Sequence, residues 1–206
     1  MIDYSKIKVP FIGKTEIKKR AQLFRQKYWD DTIPVNIERI IEVDFGVDII
    51  PVLNLVSLCN TDALITSDWS VMYVDKERYE DVRWYNYLTS SLAHEIGHIV
   101  LHRKLYESFQ ISDIDQIYEF LDKIPGEQYG FIETQADAFA GYVLVPLDKL
   151  QVEREKAICT LESHGLVESD IQDVSILHEY IADLVASPFD VSGSVVKTLL
   201  DNEFKD

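Results

Sequence analysis

The five residues His94-Glu95-Ile96-Gly97-His98 place two imidazoles and one carboxylate within little more than one helical turn. Residues four apart lie on one face of an α-helix, so His94 and His98 can reach the same metal ion. Glu95 lies beside them as a base that could take a proton from water. Hydrolytic zinc sites need neutral nitrogen ligands, an open coordination position and a nearby base. The spacing therefore predicts a Zn²⁺ site with His94 and His98 as ligands and Glu95 as the catalytic general base.

The alternative for this motif is a pair of helix histidines that binds no metal. Apolar residues recur at helical spacing around the motif, at Leu88, Leu92, Ile96, Ile99 and Val100. No proline interrupts residues 81–123. This pattern predicts a buried amphipathic helix over residues 83–104, which is the setting that the metal chemistry requires.

A third ligand must come from elsewhere, because Lys104 occupies the position where an extended form of this motif has its third histidine. The best source is segment 133–142, whose small residues allow close packing against another helix. Glu133 would bind the metal. Asp137, four residues later on the same face, would accept a hydrogen bond from the other ring nitrogen of a ligand histidine. The alternative is that both carboxylates are solvated on an exposed helix face.

His94 to His98, the following Ile99 to His102, and the stretch from Glu133 to Pro146 together resemble the ImmA/IrrE family of metallopeptidases. The resemblance implies an α+β fold. Residues 1–150 would form a mostly helical, zincin-like metallopeptidase domain with a small β-sheet, and residues 151–206 a helical C-terminal extension packed on it. It also implies a zinc-dependent endopeptidase whose protein substrate is a helix-turn-helix transcriptional repressor. Cleavage of that repressor would release genes of a mobile element or a stress response.

Two other functions stay open at this point. The chain could be a non-catalytic anti-repressor or a toxin–antitoxin binding partner, with a structural metal or none. It could also be a metal hydrolase that acts on something other than a peptide. Glu95 favours an enzyme, because a structural metal site has no use for an acid between its two histidines.

Other side chains could assist the predicted site. Tyr73, Tyr129 and Tyr142 are candidates to stabilise an oxyanion, and the sequence does not choose between them. His102 lies one turn beyond His98 on the same face. As a further ligand it would close the open coordination position, so we expect it to support the site without binding the metal.

Composition limits the partners and the compartment. Residues 1–29 carry a net charge of +6. Because the whole chain carries −16, the remaining residues carry −22. Such an acidic body repels phosphate backbones, which predicts no direct nucleic-acid binding. Cys59 and Cys159 match no ligand spacing and are predicted to be free, buried thiols. Without a secretory signal or a membrane-spanning apolar run, the sequence predicts a cytoplasmic protein with no membrane association, and it leaves the oligomeric state open.

The elements that must position these residues follow from periodicity and from breaking residues. Helices are predicted at residues 15–29, 35–44, 83–104 and 128–144, and residues 147–206 are helical by pattern. Short β-branched or aromatic runs predict strands at 47–53 and 70–74. Gly46 is expected to end the second helix, and Ser192 to cap the last one.

Overall fold

The computed structural model describes residues 3–109, 111, 114–165 and 174–205. In chain order its elements are α1 (Lys14–Tyr28), α2 (Ile37–Arg39) continued by a π-helix (Ile40–Phe45), β1 (Asp48–Val52), α3 (Leu55–Cys59), β2 (Ala63–Ile65), β3 (Val71–Asp75), α4 (Lys76–Glu80), α5 (Tyr85–Tyr106), α6 (Ile114–Lys123), α7 (Gly126–Leu144), α8 (Leu147–Ser163), α9 (Val174–Ala186) and α10 (Gly193–Glu203). The protein is mostly helical with one small sheet, which confirms the predicted α+β class.

The two helices α5 and α7 pack against each other at the centre of the molecule. Gly97 of α5 faces Ala136 of α7 so closely that a Cβ atom on Gly97 would lie 3.0 Å from the Ala136 Cα atom. Ile96, Ile132 and Phe139 are fully buried around this contact. The glycine inside the histidine motif therefore sets how near the second helix can come.

The sheet has the strand order β1-β3-β2, with β1 parallel and β2 antiparallel to β3. The predicted strands at 47–53 and 70–74 correspond to β1 and β3. The third strand, β2, was not predicted, because three residues are too few to show a two-residue alternation. This edge strand packs against α5 and carries Ile65 to the histidine motif.

The N-terminal helix α1 packs on α7, and Ile17, Ala21 and Phe24 form its buried stripe. The Phe24 ring meets the Phe139 ring edge to face, with centroids 5.6 Å apart. The basic side of α1 faces the end of α10, where Lys14 lies 2.7 Å from the Glu203 carboxylate. The positively charged first segment is thus docked on the acidic remainder of the chain.

Several finer predictions can be compared with the structure. Gly46 is left-handed (φ 65°) and ends the second helical segment. Ser192 stands at the start of α10, but its side chain makes no capping bond to the backbone. Both cysteines are free, yet the prediction that they are buried is wrong, because Cys59 is half-buried and Cys159 is exposed.

The predicted division of the chain at residue 150 falls within α8, and it stays a prediction. Among the described helices, none is both long enough and apolar enough to cross a membrane.

Candidate metal centre

Helix α5 directs His94 and His98 toward α7, as their four-residue spacing predicts. Their Nε2 atoms lie 3.0 Å apart. His98 is buried, whereas the His94 side chain keeps 16% of its surface exposed. The two imidazoles therefore present one nitrogen each to a common point at the edge of the helix pair.

Helix α7 brings Glu133 to the same point. One carboxylate oxygen of Glu133 lies 3.2 Å from His94 Nε2, and the other lies 3.6 Å from His98 Nε2. Ligands about 2.0–2.1 Å from a tetrahedral zinc ion are about 3.3 Å from one another. Two imidazole nitrogens and one carboxylate at these separations fit a zinc-sized cation.

Glu95 also lies close, since ligand-type atoms of His94, Glu95 and His98 are all within 4.8 Å of one another. However, its Oε2 atom accepts a hydrogen bond of 3.0 Å from the backbone amide of Ile65 in β2. Burial raises the pKa of Glu95 to about 8, and the opposing effects of His94 and the Ile65 amide do not cancel this. The sheet thus holds Glu95 beside His94 and His98, whereas the Glu133 carboxylate contacts both imidazoles.

Asp137, one turn after Glu133, accepts a hydrogen bond of 2.7 Å at Oδ1 from His94 Nδ1. This is the contact expected from the sequence. Burial lowers the pKa of His94, but hydrogen bonds to Asp137 and Glu133 outweigh it and raise the pKa to about 10. In the metal-free protein His94 is therefore protonated at neutral pH, and a metal must displace that proton.

His102 does not face the metal position. It is buried behind His98, with its Nδ1 atom 3.2 Å from His98 Nδ1 and its Nε2 atom 3.1 Å from Gln135 Oε1. Burial lowers the pKa of His98 well below its ordinary value and also lowers that of His102.

Of the three tyrosines considered from the sequence, Tyr129 lines the cleft together with Glu95 and Glu133. Burial and the negative charge of Glu133 raise the pKa of Tyr129 well above its ordinary value, so its hydroxyl keeps its proton. Tyr142 instead donates to Glu203 at 2.7 Å, on the side of α1 and α10. Tyr73 lies in β3 and is not among the described residues that line the cleft.

Two contacts at the site were not found from the sequence. The ring of Tyr106 stacks on the His98 imidazole at 4.8 Å, and it also lines the cleft. Tyr106 is eight residues after His98, about two helical turns, so the helical spacing of α5 could have indicated it. The contact of the Ile65 amide with Glu95 could not be predicted, because the sequence did not predict strand β2.

Two histidines and a glutamate converging from two packed helices, with a second glutamate beside the first histidine, form the arrangement of a metallopeptidase. A sequence model of the IrrE N-terminal-like domain, which is the peptidase family M78, matches residues 89–196. This is slightly more than half of the chain and includes all five predicted site residues. The chain therefore belongs to this peptidase family, and the resemblance seen in the sequence is confirmed. No curated protein matches the sequence significantly.

Proposed function

We propose that this protein is a zinc-dependent endopeptidase in which His94, His98 and Glu133 hold the metal and Glu95 is the general base. The observation that carries the proposal is that the two glutamates contact different partners. The Glu133 carboxylate contacts both Nε2 atoms, whereas Glu95 is tied to the Ile65 amide. Membership of the peptidase family supports peptide hydrolysis, and the donor set of two imidazoles and one carboxylate supports zinc.

The side chains of the site have distinct tasks in this reaction. A bound metal supplies Lewis-acid activation of a carbonyl and of water. In its ionised form Glu95 takes a proton from the attacking water with the oxygen that Ile65 does not hold, and later passes it to the leaving amine. Asp137 keeps the His94 ring oriented through Nδ1. Tyr129, which lines the cleft and keeps its proton, donates a hydrogen bond to the developing oxyanion.

The substrate that we propose is a helix-turn-helix transcriptional repressor, and this rests on the family resemblance. Its cleavage would release genes of a mobile element or a stress response, and enzyme and repressor would share the cytoplasm. The net charge of −22 beyond residue 29 supports a basic partner, because opposite charges steer association.

Coexpression with a helix-turn-helix repressor and a reporter of its target promoter tests the function. Wild-type protein should shorten the repressor and switch on its target promoter. Glu95→Gln keeps the size of the side chain but cannot take a proton, so cleavage should fall by about 10²- to 10⁴-fold.

The same experiment separates the enzyme from a protein that acts by contact. If Glu95→Gln switches on the promoter as well as wild type does, and the repressor stays intact with both, then the protein acts by binding and the peptidase proposal is wrong. Zinc content should be equal in the two proteins, because Glu95 is not a ligand in this proposal.

A further inference from the structure

We propose that a hydrogen-bond chain from His98 through His102 and Gln135 to the backbone carbonyl of Pro10 fixes the tautomer of His98. The chain leaves the lone pair of His98 Nε2 free for the metal, and His102 and Gln135 are its positioning residues. This inference rests on the proposed metal centre, but its test needs neither a substrate nor activity.

The chain consists of two consecutive contacts between buried side chains and a third, partly buried contact to a backbone carbonyl. His98 Nδ1 is 3.2 Å from His102 Nδ1, His102 Nε2 is 3.1 Å from Gln135 Oε1, and Gln135 Nε2 is 3.2 Å from the Pro10 carbonyl oxygen. His98, His102 and Gln135 are only 2%, 3% and 5% exposed. Water therefore cannot readily replace the partners that His98 and His102 have in each other and in Gln135, whereas Pro10 is exposed and its bond to Gln135 is partly buried.

The direction of the chain follows from its far end. A backbone carbonyl can only accept a hydrogen bond, so the amide nitrogen of Gln135 must face Pro10. The amide oxygen of Gln135 then faces His102. Turning the amide over would place two acceptors against each other at Pro10. Because an amide oxygen also only accepts, His102 Nε2 must carry a proton.

The two imidazoles transmit this direction to the metal position. His102 is buried, and its hydrogen-bond partners are the neutral groups of His98 and Gln135, so it is a neutral imidazole with a single proton. That proton is on Nε2, so Nδ1 accepts and His98 Nδ1 must donate. The unprotonated nitrogen of His98 is then Nε2, the atom that lies beside His94 and Glu133. Only an unprotonated nitrogen can bind a metal ion.

The N-terminal segment supplies the fixed end of the chain. The backbone amide of Val9 donates to Gln128 Oε1 at 2.8 Å, while Pro10 accepts from Gln135. Gln128 and Gln135 are seven residues apart on α7, so two consecutive residues of the segment are held on one face of that helix. Of these two glutamines, Gln135 contacts His102 and Gln128 does not, so Gln128 offers a matched control that loosens the segment without changing the hydrogen-bond chain.

Nitrogen NMR of the imidazole rings in the metal-free protein tests this inference. The two ring nitrogens of a neutral histidine have distinct ¹⁵N shifts, so the spectrum reports which one is protonated. Wild-type His98 should be protonated at Nδ1 and unprotonated at Nε2. Gln135→Met removes the acceptor at similar volume, so both His98 tautomers should appear, and the Kd for zinc should rise by about 10- to 100-fold.

Gln128→Met should leave the His98 tautomer unchanged and the Kd for zinc within about twofold, well below the effect of losing a partner of a ligand histidine. Two results would overturn the inference. One is a wild-type His98 protonated at Nε2, which decides the matter even if Gln135→Met fails to fold. The other is a Gln135→Met protein that is folded and has the tautomer and zinc affinity of Gln128→Met.

The tautomer and the peptidase activity can fail separately. If His98 is protonated at Nδ1 but Glu95→Gln still releases the repressed genes, the positioning chain stands and the peptidase proposal falls. If the repressor is cleaved while wild-type His98 is protonated at Nε2, only the positioning chain falls.

Discussion

In the proposed metal centre, binding of the metal has to remove a proton from His94. Its Nδ1 hydrogen bond to Asp137 and the nearby Glu133 carboxylate stabilise the charged imidazole against the cost of burial. In the proposed metal centre, Asp137 and Glu133 stabilise the proton on His94 while no metal is bound, and with zinc bound Glu133 would be a ligand and Asp137 would orient the His94 ring. The strength of zinc binding should reveal this competition as a function of pH.

Zinc affinity should rise with pH in the neutral and mildly alkaline range. The pKa of His94 is about 10 in the metal-free protein, so each ion bound below that pH displaces at least one proton. The apparent affinity should increase at least about tenfold per pH unit between pH 7 and 9 and level off near pH 10. Competition with a chelator whose own pH dependence is known measures this.

Asp137→Asn serves as the comparison for the pH series. Without the Asp137 carboxylate the pKa of His94 falls, so its zinc affinity should level off at a lower pH. At saturation the affinity should be about 10- to 100-fold weaker than in wild type, because His94 has lost its orienting partner. A wild-type affinity that does not change with pH would show that His94 loses no proton when zinc binds.

At the scale of elements, the crossing of α5 and α7 builds the site. Helical spacing in the sequence was sufficient to predict both helices. It also predicted that the side chains of His94, His98 and Glu133 would come together. What spacing cannot show is how one element touches another. The three residues of β2 and the position of Gln135 beside His102 depend on tertiary contacts, and neither has a periodic signal in its own segment.

Gly97→Ala tests the crossing of the two helices. The added Cβ atom would lie 3.0–3.2 Å from the backbone and Cβ atoms of Ala136, so α7 must move away from α5. We expect a loss of about 1–3 kcal/mol in the free energy of unfolding, as for other overpacked cores. Zinc binding should also weaken, since Glu133 moves with α7. Urea unfolding and a zinc titration measure the two effects.

Gly130→Ala is the matched control, because it adds the same methyl group to α7 with nothing within 4 Å. Alanine has the higher helix propensity, so this variant should gain about 0.5–1 kcal/mol and bind zinc normally. If Gly97→Ala is as stable as Gly130→Ala, then the glycine does not set the approach of the two helices.

At the scale of the whole molecule, the helices α1 and α10 meet at Glu203. Its carboxylate accepts from Lys14 and Lys18 of α1 at 2.7 and 2.5 Å and from Tyr142 of α7 at 2.7 Å. The uneven charge of the sequence agrees with a basic first helix that contacts the acidic body, but charge alone does not show which acid receives it. The division at residue 150 likewise depends on how segments pack, and it stays a prediction.

Glu203→Gln should destabilise the protein at pH 7 by about 1–3 kcal/mol, the range for hydrogen bonds to charged groups. Burial raises the pKa of Glu203, but the hydrogen bonds from Lys14, Lys18 and Tyr142 have the larger effect and lower this pKa to about 2. The stabilisation is therefore complete above the ordinary pKa of 4.5 and is lost as the pH falls through about 2. Urea unfolding of wild type and variant at pH 7 and near pH 2 measures this loss.

Glu16 provides the comparison on α1, the helix of Lys14 and Lys18, because it pairs with Arg20 on the surface. Glu16→Gln should destabilise the protein much less than Glu203→Gln, because an exposed ion pair contributes little to stability. Equal losses for Glu203→Gln and Glu16→Gln at pH 7 would mean that the contact between α1 and α10 does not stabilise the fold.

Calorimetric titration of the metal-free protein with zinc tests most directly whether Glu133 holds the metal and Glu95 stays free for the reaction. Wild type and Glu95→Gln should each bind one ion per chain with affinities within about tenfold, whereas Glu133→Gln should lose more than about 100-fold, beyond the effect of an outer hydrogen-bond partner. If Glu95→Gln loses zinc as Glu133→Gln does, then Glu95 is a ligand and cannot be the free base. If Glu133→Gln binds zinc like wild type, the proposed metal centre is wrong.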